Sequence, residues 1–280
     1  MSSKSPTGYH LQCSGPAADT AAAHQDEDAT LTAYFACFCP FVQRAWIALE
    51  LLGQCVDGQA AKTAGIDYRY VEVDPYKKPK QLLEVSPKGL VPAFRMAEDK
   101  SLHDSLILMH YLSSLPLAGG TSNRLLPADP YNRARHLLAG QKHAEALTPG
   151  FYRYLQAQDA DKQVQYGQEY VKALEAFEKE MHPDGPFFFG QELSWVDILI
   201  APWAIRFEPV LKHYRGFWPA LVSDESRRFS KWYKAIKVHP AVKATTSTDQ
   251  LYTDSYHRYA NNIPNLSQVA DAINSGRPLP

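Results

Sequence analysis

The sequence predicts an α/β domain on a small sheet followed by an all-α domain, and three observations predict it. Between residues 31 and 115, short β-prone runs alternate with helical periodicities in the order β-α-β-α-β-β-α, the pattern of an α/β layer. Residues 116–130 hold several Pro and Gly and few periodic apolar positions, which marks a linker. From about 131 to 257 the chain reads as helix throughout. The expected division is a disordered arm over 1–29, an α/β domain over 30–116, a linker over 117–130, a helical domain over 131–260 and a loosely ordered tail over 261–280.

Residues 1–29 are rich in Ser, Ala, Gly, Asp and Gln, with little to bury, so Cys13 reads as an exposed bystander. Residues 31–35 are short and β-prone. Cys39-Pro40 then leads into 41–52, where Val42, Ala45, Trp46, Leu49 and Leu52 recur at helical spacing before a stop at Gly53. Proline suits the first helical position, where its missing N–H has no partner to lose. Residues 54–65 are small and polar, an exposed loop carrying Cys55. Residues 68–73 alternate as a strand. A Lys/Pro-rich turn, a short helix around 80–85, a strand over 93–96, its hairpin partner near 101–103 and a helix over 104–115 complete the layer. Further on, Val164, Tyr170, Val171, Leu174, Phe177 and Met181 share a helical period. Ser194-Trp195-Val196-Asp197 opens another helix with a capping-box pattern in which Asp replaces the usual Glu.

Twenty-nine basic against thirty acidic residues leave the net charge near zero and argue against a nucleic-acid-binding surface. No apolar run approaches the roughly 20 residues needed to span a bilayer. The N-terminus carries no apolar core of a secretory signal, so the expected location is cytoplasmic. Four cysteines, Cys13, Cys37, Cys39 and Cys55, are too few for a disulfide scaffold. None of the ten histidines stands at ligand spacing from a cysteine pair, so no metal is expected.

Cys39 is the candidate reactive group. It precedes proline at a strand-to-helix turn, where the helix dipole and unpaired N–H groups favour a thiolate. Such positions lower a thiol pKa from about 8.5 to roughly 3.5–7.5. A dithiol redox site needs a second cysteine at position 42, and valine stands there. The site is therefore expected to work by mixed disulfide with an external thiol, for which glutathione is the obvious candidate. Cys37 reads either as a small apolar strand residue or as a C-x-C partner of Cys39, the latter in poor geometry.

The segment Phe38-Cys39-Pro40-Phe41-Val42-Gln43-Arg44 resembles the active-site signature of omega-class glutathione transferases and is also similar to that of the plant lambda class. Ser86-Pro87-Lys88-Gly89-Leu90-Val91-Pro92-Ala93 resembles the family's cis-proline segment. His103-Asp104-Ser105 resembles its acidic-Ser pair, with Asp where the family usually has Glu. Leu126-Pro127-Ala128-Asp129-Pro130-Tyr131 is similar to the interdomain linker, and residues 188–203 resemble the capped core helix of the second domain.

The resemblance implies a thioredoxin-like N-terminal domain, a helical glutathione-transferase C-terminal domain, glutathione as cosubstrate and a homodimer. It implies that Val91, before cis-Pro92, meets the cysteinyl backbone of glutathione. Asp104 and Ser105 would meet its γ-glutamyl end and Lys78 its glycyl carboxylate, with Phe41 beside them. The alternatives are Asp104 as an ordinary N-cap, Lys78 as one of a solvated run and Pro92 as a turn proline. Tyr152, Trp203, Phe207 and Trp232 are candidates for a second-substrate pocket, against the alternative that an aromatic row at helical spacing is core. The implied activity is glutathione-dependent thiol transfer and reductive deglutathionylation, of the dehydroascorbate-reductase kind, on a small hydrophobic or glutathionylated substrate. The competing reading is a non-catalytic regulatory or binding protein of the same fold.

Overall fold

The structure, a computed structural model, describes residues 8–53, 66–115 and 125–280. The loop expected over 54–65, Cys55 with it, and most of the linker expected over 117–130 lie outside the described residues. The chain forms two compact units. One comprises residues 1–134 with 239–251, the other 135–238 with 252–280.

The first unit holds a four-stranded sheet in the order β2-β1-β3-β4. Its strands are β1 (Leu31–Phe35), β2 (Tyr68–Glu72), β3 (Ala93–Met96) and β4 (Ser101–His103). β1 runs parallel to β2, with Phe35 opposite Glu72, and antiparallel to β3, with Tyr34 opposite Ala93. β3 and β4 form the hairpin, Ala93 opposite His103. β1 is buried along nearly its whole length, as a central strand covered on both faces must be. Helices α1 (Pro16–Ala23), α2 (Pro40–Gly53), α3 (Lys80–Val85) and α4 (Ser105–Ser114) belong to this unit. The mixed sheet with its helices is the α/β layer that the periodicities predict, in the thioredoxin-like form that the resemblance implies.

α2 buries more than the apolar stripe its sequence displays. Gln43, Arg44, Ile47, Ala48 and Leu51 are buried beside the predicted Val42, Ala45, Trp46, Leu49 and Leu52. The reasons are α4, whose Ser105 meets Arg44, and a helix from the far end of the chain, α11 (Pro240–Ala244), both of which pack on α2 within the same unit. Gln43 Nε2 donates to Thr245 O at 3.0 Å and reaches Thr246 Oγ1 at 3.2 Å, so its buried amide is satisfied by that segment. The boundary expected at 131–260 is corrected accordingly, because residues 239–251 belong to the first unit.

The disordered arm expected over 1–29 is corrected from residue 8 onward. Tyr9 and Ala17 are buried, and α1 packs on α11. Ala17 N–H donates to Thr246 O, Thr20 Oγ1 to Ala244 O at 2.7 Å, and Tyr70 N–H to His24 O at 2.7 Å. The arm thereby covers the open edge of β2. Its small residues look unpromising as core because their partners lie more than 200 positions away in sequence.

The second unit is helical. It holds α6 (Ala160–Glu180), α7 (Trp195–Ala204), a π-helical turn (Phe207–Lys212), α8 (His213–Arg215), α9 (Ala220–Ser223), α10 (Arg228–Val238) and α13 (Gln268–Asn274). Helices α5 (Pro130–Gln156) and α12 (Asp249–Ala260) contribute most of their length. Every residue of α7 is buried. Its capping box forms as predicted: Asp197 accepts from Ser194 N–H at 2.7 Å and Ser194 Oγ at 2.5 Å. The other carboxylate oxygen accepts from Phe188 N–H at 2.9 Å and Trp232 Nε1 at 2.7 Å. The loosely ordered tail expected over 261–280 is also corrected. It folds into α13 and buries Leu266, Ala270 and Ala272, with Gln156 Nε2 donating to Ala270 O.

Among the described residues, no helix is long and apolar enough to cross a membrane. Nor do they include a group of three or more His, Cys, Asp or Glu side chains that could hold a metal ion.

Candidate active site

Cys39 is the residue at which α2 begins. Its carbonyl accepts the first intrahelical bond, from Gln43 N–H at 3.1 Å, and its own N–H donates to Ala36 O at 3.0 Å. These bonds make Cys39 the N-cap, with Pro40 as the first helical residue. A side chain at an N-cap meets the N–H groups of the second and third helical residues, here Phe41 and Val42. A thiolate at this position therefore fills the place that Ser or Asp oxygen takes in an ordinary cap. The Cys39 side chain is half-buried, and Sγ lies 4.0 Å from the carbonyl oxygen of Val91. The Val91–Pro92 peptide is cis, so the proline is not an ordinary trans turn residue.

The same loop is braced on its other side. Phe38 stacks on Tyr76 with ring centroids 5.8 Å apart, and Tyr9 meets both rings edge-on at 5.7 and 4.9 Å. The Tyr9 hydroxyl donates to the Asp74 carboxylate at 2.9 Å. Asp74 O in turn accepts from Lys78 N–H at 3.1 Å. Lys78 has φ +45° and donates from Nζ to Lys88 O at 2.9 Å, so its side chain folds back rather than projecting into solvent. It crosses Gly89, where an added Cβ would stand 2.7 Å from Lys78 Cδ; Gly89 also has φ +63°, so glycine is required there twice over.

Asp104 and Ser105 stand at the start of α4. Asp104 Oδ1 accepts from Leu106 N–H at 2.8 Å and Ile107 N–H at 3.2 Å, which makes Asp104 a true N-cap. Asp104 is exposed and its φ is +80°. Ser105 is buried, with Oγ 3.5 Å from Arg44 Nη1, and the Arg44 guanidinium lies 5.4 Å from the centre of the Phe41 ring. Arg44 thus joins the Cys39 helix to the start of α4 and sets a cation beside the Ser105 hydroxyl. Reading the sequence for function passed over Arg44, although it stands in the Cys39 motif. Its signal was a charge on the buried side of an apolar helix, a place arginine takes only with partners.

The four aromatic pocket candidates are a correction. Tyr152, Trp203, Phe207 and Trp232 are 2%, 1%, 0% and 0% exposed. Tyr152 packs against Phe151 and Tyr259, and Phe207 against Tyr170, Phe217, Phe229 and Tyr233. Trp232 packs on Phe177 and donates to Asp197. They form the core of the helical unit, where rings at helical spacing serve to fill volume.

Comparison with known proteins agrees with this architecture. The family model for the glutathione S-transferase N-terminal domain matches residues 34–117, and that for the C-terminal domain matches residues 146–235. The chain is 30% identical to pyrimidodiazepine synthase of Drosophila melanogaster, over 85% of this chain and 87% of that one. It is 25% identical to glutathione S-transferase omega-1 of Sus scrofa, over 74% and 76% of the two chains. The crystal structure of glutathione transferase Omega 3C from Trametes versicolor superposes with a TM-score of 0.73 at 33% identity, covering 85% of this chain and 97% of that one. With a cysteine capping the helix after β1, a cis-proline beside it and both domain models matched in order, the chain belongs to the glutathione transferase family.

Proposed function

We propose that the protein is a glutathione-dependent thiol transferase and reductive deglutathionylase of the omega kind, dehydroascorbate-reductase-like, working through a mixed disulfide at Cys39. The family's cosubstrate is glutathione. The observation that carries the reading is the placement of Cys39 as the N-cap of α2 with Val42, not a second cysteine, three residues on. The Cys39 thiolate attacks the glutathionyl sulfur of a mixed disulfide, and the other thiolate leaves and takes up a proton. Cys39 then carries glutathione. A second glutathione thiolate attacks that glutathionyl sulfur, releasing glutathione disulfide and restoring the Cys39 thiolate.

On this reading glutathione lies along Val91 and Pro92, pairing its cysteinyl backbone with Val91 as an added strand would. Its γ-glutamyl carboxylate meets Ser105 and the α4 N–H groups, with Arg44 behind, and its amine meets Asp104. Lys78 faces the glycyl carboxylate, and Phe41 flanks the thiol. The second substrate is a small hydrophobic or glutathionylated molecule. The protein acts in the cytoplasm as a homodimer, for which Leu106 and Ile107 of α4, 39% and 49% exposed, supply apolar surface. The similarity to omega-1 and Omega 3C supports this chemistry. The similarity to pyrimidodiazepine synthase favours a heterocyclic compound among the substrates to be tried.

The test is glutathione-dependent reduction of a small mixed disulfide by wild type, Cys39→Ala and Cys37→Ala, with intact-mass analysis of the adduct. Cys39→Ala should lose roughly a thousandfold or more in turnover, and Cys37→Ala should keep it. A single glutathione adduct should form on Cys39. If wild type neither turns over nor takes up glutathione, a non-catalytic binding role replaces this one.

A further inference from the structure

Cys39 has no cysteine partner inside its motif, yet two other thiols converge directly behind it. Cys13, in the N-terminal segment, and Cys37, in the loop that leads to Cys39, both lie against the carboxylate of Glu72. Cys13 Sγ is 3.7 Å from Glu72 Oε2 and 3.1 Å from the Tyr70 hydroxyl, which donates to the same Oε2 at 2.7 Å. Cys37 N–H donates to Glu72 Oε1 at 2.8 Å. Cys37 Sγ donates to His10 O at 3.4 Å, three residues before Cys13. Cys37 is buried, as the reading of it as a small apolar residue expects, and its thiol meets His10 O while Cys39 Sγ meets Val91 O, which does not favour a C-x-C pairing.

We infer that Cys13 and Cys37 are a reversible disulfide site, with Glu72 as the base that releases their protons, and that the bond fastens the N-terminal strap to the catalytic loop. The inference goes beyond the proposed function and does not depend on chemistry at Cys39.

Burial and the neighbouring Glu72 charge push both thiols above the ordinary range, so neither gives its proton to bulk water at neutral pH. The acceptor at hand is Glu72, whose own carboxyl burial raises to about 7. A carboxylate in that range is suited to general-base work near neutrality. Cys13, half-buried, is the thiol an oxidant reaches first. With glutathione disulfide as oxidant, Glu72 takes the Cys13 proton, and the thiolate attacks one sulfur. The disulfide of the oxidant breaks, and one glutathione leaves with a proton. Glu72, having passed its proton to that glutathione, takes the Cys37 proton as the Cys37 sulfur attacks the Cys13 sulfur, and the second glutathione leaves with that proton. Two protein thiols are oxidised to one disulfide while one glutathione disulfide is reduced to two glutathione molecules.

The test uses full-length Cys39→Ala, so that failure of the catalytic proposal cannot disturb it. The protein is incubated with excess glutathione disulfide, its free thiols are alkylated under denaturing conditions, and peptides are mapped without reduction. The expected product joins the Cys13 and Cys37 peptides and is lighter by two hydrogen atoms. Adding Cys13→Ser should leave Cys37 reduced, and adding Glu72→Gln should slow linkage roughly a hundredfold. The main result needs no substitution beyond Cys39→Ala, which leaves Cys13, Cys37 and Glu72 in place. Both thiols alkylated after treatment, or a Cys13–glutathione adduct that Cys37 never resolves, would overturn the inference. So would linkage at an unchanged rate in the Glu72→Gln protein, for the base assignment.

Discussion

At the start of α7 the helix dipole is answered by a carboxylate, whereas at the start of α2 the capping position holds a thiol. Asp197 takes four hydrogen bonds, from Ser194 N–H and Oγ, Phe188 N–H and Trp232 Nε1, and is wholly buried. Burial holds its carboxyl above the ordinary range despite those donors. Cys39 stands at the N-cap of α2, the place Ser194 holds on α7, but it is half-buried and followed by Pro40, which removes one N–H from the turn. A helix N-terminus stabilises negative charge in either case. What differs is whether the charge is permanent and sealed, or chemical and within reach of solvent. The first arrangement holds a fold together; the second leaves an anion site to be completed by a thiolate.

The largest effect expected from this contrast is at α7. Asp197→Ala leaves four donors without their acceptor in a closed interior and should destabilise the helical unit by about 4 kcal/mol, read as a fall in the denaturation midpoint. A loss below about 1 kcal/mol would mean that the box is ornamental and that the two termini differ less than their geometry suggests.

Asp104 stands between these extremes: a carboxylate at a helix start like Asp197, but at the N-cap itself and exposed like a ligand-facing group. Asp104→Ala should cost about 1 kcal/mol as a lost cap and raise the KM for glutathione several-fold. Asp104→Asn separates the two roles, because Asn caps as well as Asp but carries no charge. Stability should return while KM stays high. If both return, Asp104 is a cap only, and the amine of glutathione is held elsewhere.

What the sequence disclosed follows the range of the interactions. The order β1-α2-β2-α3-β3-β4-α4, the capping box at Ser194 and the position of Cys39 at a helix start were all legible, because each is written within a few neighbouring residues, whereas the cis Val91–Pro92 bond followed only from the family resemblance of residues 86–93. The arm, the tail and the segment 239–251 were misread because their partners are remote: Ala17 meets Thr246, Gln43 meets Thr245, and Gln156 meets Ala270. The same limit hid the convergence of Cys13, Cys37 and Glu72, which lie on three segments. It also let core rings such as Phe207 and Trp232 pass as pocket candidates, since helical spacing alone does not say what a face is packed against.

The smallest expected effect bears most directly on the comparison. Cys39→Asp places at α2 the kind of side chain that α7 uses. If a carboxylate is a better acceptor than a thiol for the N–H groups of Phe41 and Val42, the variant should gain about 0.5–1 kcal/mol of stability while losing thiol transfer altogether. The sign of its pH dependence is fixed. A helix N-terminus depresses the new carboxyl below its unfolded value of about 3.9, so the gain is present above that pH and disappears as the pH falls through the folded value. A neutral or destabilising result at pH 7 would mean those N–H groups are already satisfied in the thiol form. The thiolate would then have no cap to complete, and the preference for negative charge at Cys39 would have to come from another source, with Arg44 the nearest cation on the same helix.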